Sequence, residues 1–244
     1  MVLAAGEGAR LRPLTLRRPK PLCPVDNVPL VDLALERVAE VTSAVAVNLH
    51  HGREPLAAHL EDRSGPPIHL SIEEPEALGT AGALGLLRSW IDGRGTIVLN
   101  ADTWCPGSVT PAVEGWDGER VRLLVVGEDL LSPNSRLAGA LMPWSEVSRL
   151  EAVPSGLYEV SWRRLAEAGR IEVVRWDGPC IDCGTPARYL AANMAASGGA
   201  PVVGPDCKVD GTIERTVLWQ GSEVAPDEHL VDAIRGDSQT IYVR

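Results

Sequence analysis

The sequence predicts an α/β fold built on a doubly wound, mostly parallel sheet. Three observations carry this. Short apolar runs, at 1–4, 43–49, 67–72, 96–99 and 121–126, alternate with stretches of helical spacing. The first run passes straight into a loop with glycines at positions 6 and 8, and ligands of such sheets gather at the carboxyl ends of strands. A length of 244 residues bounds the whole to one large domain, or a domain with a small appendage.

The loop after Met1–Ala4 dominates the reading. Gly6 and Gly8 permit tight turning and close approach to a ligand. Five cations follow without an intervening acid: Arg10, Arg12, Arg17, Arg18 and Lys20. Pro19 and Pro21 fix φ on either side of Lys20 and partly set its aim. Backbone N–H groups beside a cation cluster suit a polyphosphate, while the bland alternative is a chance turn between strand and helix. The loop is not a dinucleotide fingerprint, because Pro13 stands where the helix should run, and it has no Gly-Lys-Ser/Thr of a Walker A loop.

Downstream, Leu30, Val31, Ala34, Leu35, Val38 and Val41 predict a helix. The strand at 43–49 closes on His50-His51-Gly52, histidines that are either ligands, bases or plain loop residues. A helix over 53–62 and a strand over 67–72 follow. Gly79-Thr80 opens an Ala/Gly-rich helix running to about Ile91, which suits either close approach of a ligand or tight packing. The strand at 96–99 ends in Asn100-Ala101-Asp102. A carboxylate there needs a partner, either a hard metal ion or the backbone of the next turn. After the strand at 121–126, residues 137–142 and 147–152 read as paired strands, 162–168 as helix and 171–175 as extended. Thr185-Pro186 is an N-cap followed by a helix start.

Composition removes several classes. A net charge of −10 argues against nonspecific nucleic-acid binding. No apolar run approaches the about twenty residues of a membrane span, and no signal peptide precedes the first strand, so a cytoplasmic protein is expected. Five scattered cysteines make a disulfide framework a poor reading. Cys180 and Cys183 form a C-x-x-C without a second pair, open to zinc, redox or incidental buried thiols. Lysine occurs only at 20 and 208 against twenty-one arginines, which singles out Lys20.

Leu3-Ala4-Ala5-Gly6-Glu7-Gly8-Ala9-Arg10-Leu11-Arg12-Pro13-Leu14-Thr15, then Pro19-Lys20-Pro21, resembles the signature loop of the sugar-1-phosphate nucleotidyltransferases (nucleotide-sugar pyrophosphorylases). In pattern the chain is most similar to N-acetylmuramate-1-phosphate uridylyltransferase and mannose-1-phosphate guanylyltransferase-like members. The resemblance implies a Rossmann-like nucleotidyltransferase fold and a reaction between an NTP, UTP or GTP first, and a sugar 1-phosphate, giving an NDP-sugar and pyrophosphate. It implies that Arg10 neutralises the β- and γ-phosphates and that Lys20 holds the α-phosphate and the sugar phosphate. Leu3, Ala4, Ala5, Gly6 and Gly8 would bind nucleotide, with Glu74, Gly79 and Thr80 at the base. Asp102, and Asp182 in Asp182-Cys183-Gly184-Thr185-Pro186, would share Mg²⁺. Gly156-Leu157-Tyr158 resembles a family strand near the sugar, placing Gly156 and Tyr158 there. Many members carry Glu-Lys-Pro just before that strand, whereas this chain has Leu150-Glu151-Ala152-Val153-Pro154-Ser155 and no lysine.

A Ser-Gly-Gly break at 197–199 separates the catalytic domain, 1–198, from a tail, 199–244. Apolar residues six apart, such as Val203 and Val209 or Leu218, Val224 and Leu230, resemble a short left-handed β-helix of hexapeptide repeats. Such a tail would cap the domain or mediate homo-oligomer assembly, the alternative being an irregular tail. Two other functions fit the same loop: a non-catalytic subunit that senses nucleotide-sugars, and a cytidylyltransferase for a phospho-alcohol such as phosphocholine.

Overall fold

The computed structural model describes residues 1–127, 135–236 and 239–243. They group into two compact units. One comprises Met1–Gly6, Ala34–Ala101 and Cys105–Cys180; the other comprises Glu7–Leu33, Asp102–Trp104 and Ile181–Arg244.

The first unit is the α/β body. Its strands are β1 (Val2–Leu3), β2 (Val45–Leu49), β3 (Ile68–Ile72) and β4 (Thr96–Asn100), followed after β5 (Thr103–Trp104, in the other unit) by β6 (Val121–Val126), β7 (Leu137–Met142) and β8 (Ile171–Trp176). They form one sheet in the order β8–β6–β7–β4–β1–β2–β3. β1 lies parallel to both β2 and β4, with Val2 opposite Val47 and Leu99. Among the described residues of this sheet, β7 alone runs against its neighbours, pairing antiparallel with β4 and β6. The sheet is therefore the mixed, mainly parallel one the alternation predicts. Val45, Val47, Leu49, Leu99, Leu123 and Leu124 are buried, as expected of strands sequestered on both faces.

Helices α1 (Leu30–Ala39), α2 (Arg53–Glu61) and α3 (Gly79–Leu86) sit where the spacing predicts, α3 being followed by a separate turn at Arg88–Ile91. Two expectations fail. Residues 147–152 are not a strand: Trp144–Val147 is a helical turn and irregular chain follows. Gly156-Leu157-Tyr158 does not open a strand either, because Tyr158–Trp162 is a π-helical turn running into Arg163–Glu167. The cause is a buried carboxylate. Glu146, 4% exposed, accepts from Ser161 Oγ at 3.2 Å and Arg164 Nη2 at 2.9 Å. Leu157, Ser161 and Leu165 then fall four apart on one buried face, which only a helix provides.

The second unit gathers the glycine loop and the tail around one core. Leu11, Leu14, Cys23, Val25 and Leu30 pack with Trp104, Cys183, Tyr189, Val202, Val217, Trp219 and Ile234. The Trp219 indole N–H donates to the Tyr189 hydroxyl at 2.9 Å, and that hydroxyl donates to the Pro24 carbonyl. Strand β9 (Ile181–Asp182) pairs antiparallel with β5, and α4 (Pro186–Ala196) follows, capped by Thr185, whose hydroxyl accepts from the Arg188 N–H. In the tail, Val202–Val203, Val217–Leu218 and Ala233–Gly236 form one ladder, parallel throughout. Lys208–Val209 pairs parallel with Glu223–Val224, and Thr212–Glu214 with His229–Val231. Successive coils thus stack strand on strand, and Gln239–Tyr242 folds back antiparallel on Ala233–Gly236.

Candidate active site

In the second unit the loop and β9 converge on two carboxylates. Gly8 has φ +67°, and a Cβ there would lie 3.1 Å from both Lys20 Cβ and Thr15 Cγ2. Glycine thus lets the loop fold back over Lys20, and Thr15 Oγ1 fastens the fold by donating to the Gly8 carbonyl at 2.8 Å. Lys20, 6% exposed, stands between the acids: Nζ donates to Asp102 Oδ2 at 2.8 Å and Asp182 Oδ1 at 3.4 Å. Arg10 Nη2 lies 3.8 Å from Asp182 Oδ2. Asp102 also accepts from Thr103 Oγ1 at 3.2 Å. The β5–β9 pairing fixes the acids' spacing, setting Thr103 opposite Asp182, while the Cys183 N–H donates to the Asp102 carbonyl at 3.0 Å. A Cβ at Gly184 would fall 2.7 Å from Arg10 Nη2 and 2.8 Å from Asp182 Oδ1, so its absence keeps room for that approach.

Sequence reasoning brought Arg10, Lys20, Asp102 and Asp182 to this point but missed Arg188. Its Nη1 donates to Asp182 Oδ2 at 3.0 Å from the first turn of α4. The signal available was an arginine three residues past the Thr185 cap, which points it back along the chain toward Asp182.

No group of three or more His, Cys, Asp or Glu side chains suited to a metal ion occurs among the described residues. The two carboxylates nonetheless fit Mg²⁺. They already share one cation, the Lys20 ammonium, and magnesium is commonly held by one or two carboxylates with water and substrate phosphates completing its shell. Cys183 is a structural thiol: burial pushes it up to about 12, against the pull of a backbone N–H and of Lys20, and its Sγ turns to the Ile181 carbonyl at 3.6 Å.

The remaining candidates lie in the first unit. The Ala4 N–H donates to Asn48 Oδ1 at 2.7 Å, and Asn48 Nδ2 donates to Glu73 Oε1 at 2.7 Å. Glu73 Oε2 accepts from the Leu78 N–H at 2.7 Å. This buried chain of bonds ties Leu3-Ala4-Ala5 to the residue preceding Gly79. Glu74, by contrast, is exposed and pairs with Arg53, and the ring Nδ1 of His50 meets the Glu73 carbonyl at 2.9 Å. A Cβ on Gly6 would meet no atom within 4 Å.

Gly79, Thr80 and Gly156 come together. The Ala81 N–H donates to the Ser155 carbonyl at 3.0 Å, the Ser155 N–H to the Leu78 carbonyl at 2.9 Å, and the Leu157 N–H to Thr80 Oγ1 at 2.9 Å. Cβ atoms at Gly79, Gly82 and Gly85 would stand 2.6, 2.3 and 2.3 Å from the carbonyl oxygens of Ser155, Val153 and Glu151. The glycines of α3 thus admit the 151–155 backbone against the helix. Tyr158 is half-buried and stands on the π-helical turn rather than on a strand.

Several known proteins are similar to this chain. Residues 1–126 match the nucleotidyl transferase family model. The chain is 32% identical over 227 residues to the N-acetylmuramate α-1-phosphate uridylyltransferase of Caulobacter vibrioides, covering 79% of this chain and 94% of the relative. It is 40% identical over 109 residues to the probable mannose-1-phosphate guanylyltransferase 3 of Oryza sativa subsp. japonica, covering 42% of this chain and 30% of that one. A sucrose-bound structure from Bacillus anthracis, provisionally described as a glucose-1-phosphate thymidylyltransferase, superposes with a TM-score of 0.69 at 18% identity, over 80% of this chain and 93% of the other. That last likeness concerns the fold.

Proposed function

Since this chain belongs to the nucleotidyl transferase family, among the sugar-1-phosphate nucleotidyltransferases, we propose that it condenses UTP with N-acetylmuramate 1-phosphate, or a near relative of that amino sugar, to give a UDP-sugar and pyrophosphate. The observation that carries this reading is Lys20 held between Asp102 and Asp182, with Arg10 and Arg188 on the second acid. The substrate pair follows the uridylyltransferase, the relative matched over nearly its whole length.

In this mechanism a sugar-phosphate oxygen attacks the α-phosphorus in line and pyrophosphate leaves. The nucleophile is already anionic, so no general base is needed, and catalysis consists of positioning and charge neutralisation. Lys20 turns from the carboxylates to the α-phosphate and the sugar phosphate. Arg10 neutralises the departing pyrophosphate. Arg188 supplies a further cation in a chain that has no lysine at 150–155. Asp102 and Asp182 would hold Mg²⁺, which when bound supplies positive charge to the substrate phosphates. The loop from Leu3 to Gly8 would offer backbone N–H groups to the nucleotide.

The test is pyrophosphate release with Mg²⁺, crossing UTP, GTP, CTP, ATP and dTTP against 1-phosphates of N-acetylmuramate, N-acetylglucosamine, glucose and mannose. Release with UTP and N-acetylmuramate 1-phosphate, abolished by EDTA, is expected. Release with GTP and mannose 1-phosphate would replace the substrate assignment, and silence throughout would overturn the reading.

A further inference from the structure

The transfer reaction makes no use of Cys105 and Cys180, yet the chain sets them face to face. Antiparallel pairing puts Trp104 opposite Ile181 and Thr103 opposite Asp182. The same register carried one residue further puts Cys105 opposite Cys180. Carried the other way it puts Asp102 opposite Cys183, where the backbone bond at 3.0 Å is made. Bonded and unbonded rungs alternate in an antiparallel ladder, so the same alternation continued past Trp104 and Ile181 would set Cys105 and Cys180 on an unbonded rung, where facing Cα atoms approach to about 4.5 Å. That lies within the roughly 4.4–6.8 Å a disulfide spans.

The side chains agree with the register. Cys105 and Cys180 are 4% and 6% exposed and belong to one small cluster with Ala112, Leu124 and Ala138. The C-x-x-C spacing in the sequence therefore misleads: the neighbour of Cys180 is Cys105, while Cys183 turns its sulfur to the Ile181 carbonyl.

We propose that Cys105 and Cys180 are an oxidisable pair that hydrogen peroxide closes to an intramolecular disulfide, clamping the end of the two-stranded ladder that bears Asp102 and Asp182. The Cys105 sulfur attacks one peroxide oxygen and the O–O bond breaks, giving a sulfenic acid on Cys105 and a hydroxide that leaves as water with the thiol proton. The Cys180 sulfur then attacks the Cys105 sulfur. The S–O bond breaks, and hydroxide leaves as a second water with the Cys180 proton. Two thiols and one peroxide become one disulfide and two waters. The order follows from the surroundings: the hydrogen bond from Cys180 holds the Cys105 thiol below the usual range, with Arg37 assisting against burial. This pairing stands on the ladder and the cluster and is independent of the substrate assignment.

The test treats the full chain with a small excess of hydrogen peroxide, alkylates it in denaturant and maps it without reductant. The expected product has lost two hydrogens, carries a peptide pair linked through Cys105 and Cys180, keeps Cys23, Cys183 and Cys207 alkylated, and reverts with dithiothreitol. In Cys180→Ala the reaction should stop at a sulfenic acid on Cys105 that dimedone traps. Hydrogen–deuterium exchange at the Cys183 amide should slow about tenfold on oxidation if the ladder is clamped. Five alkylated thiols, a link from Cys180 to Cys183, or over-oxidation without a link would overturn the pairing, and unchanged exchange at Cys183 would overturn the clamp.

Discussion

Replacing Lys20 with alanine removes one buried ammonium from between two carboxylates. Its contacts of 2.8 and 3.4 Å are worth roughly 6 and 5 kcal/mol at an effective dielectric of about 20, before any cost. Most of that is offset. At 6% exposure the ammonium has given up several kcal/mol of hydration, and Asp102 and Asp182, with side chains 42% and 29% exposed, are screened by water. Little net stability therefore rests on the pair, while losing one positioned cation at a transferring phosphoryl group should cost about 3–4 kcal/mol of barrier, or roughly 10²–10³ in kcat/KM. Because both acids reach solvent once the lysine is gone, neither becomes a buried unpaired charge, and the melting temperature should fall by only a few degrees. The assay is pyrophosphate release under kcat/KM conditions, with circular dichroism to confirm the fold. Lys20→Arg should not rescue, since a planar fork does not replace a compact ammonium in that gap. A folded Lys20→Ala enzyme within threefold of wild type would refute the reasoning.

Trp219→Ala should cost about 3–5 kcal/mol in urea unfolding, because the buried indole joins the tail to the core that holds the glycine loop and leaves the Tyr189 hydroxyl without its donor. Gly82→Ala should destabilise by about 1–3 kcal/mol, since its Cβ meets the Val153 carbonyl at 2.3 Å and backbone yields poorly; the melting temperature reads it. Glu228→Gln tests a pH dependence. The hydrogen bonds from Arg235, then the Ala225 N–H, hold the Glu228 carboxyl at about 2 against an ordinary 4.5. A depressed folded value means stabilisation present above 4.5 and lost as pH falls toward 2. The variant should therefore be less stable than wild type at pH 7, with the gap closing across that window in acid denaturation.

The inner strands were legible because Val45–Leu49, Thr96–Asn100 and Val121–Val126 are short, largely buried apolar runs, while the edge strands Ile68–Ile72 and Ile171–Trp176 are only partly buried and showed through their β-branched residues. The errors fell where one polar group decides the local geometry. At 156–161 the residues alternate well enough for a strand, but Ser161 is needed under Glu146, and only a helical turn sets Leu157, Ser161 and Leu165 on one face. At the site, the signature loop and the two aspartates were legible through family pattern, since no spacing rule relates Asp102 to Asp182. The cross-strand register that aligns them appears only in the fold. Glu73 went unnoticed beside Glu74, although strand parity distinguishes them: Ser71 and Glu73 point inward, at 5% and 1% exposure, and Ile72 points out at 49%. Arg188 escaped although its place three residues past the Thr185 cap, on a helix start the sequence itself marks, aims its side chain back toward Asp182.

The most direct test of the account is single-turnover pyrophosphate release by Asp182→Ala with saturating UTP, sugar 1-phosphate and Mg²⁺, alongside calorimetric binding of UTP. The account predicts a rate lowered by roughly 10²–10³ with UTP affinity in the absence of metal changed by no more than a few-fold. A rate equal to wild type would contradict it, because the acid that Lys20, Arg10 and Arg188 all approach would then have no part in the transfer.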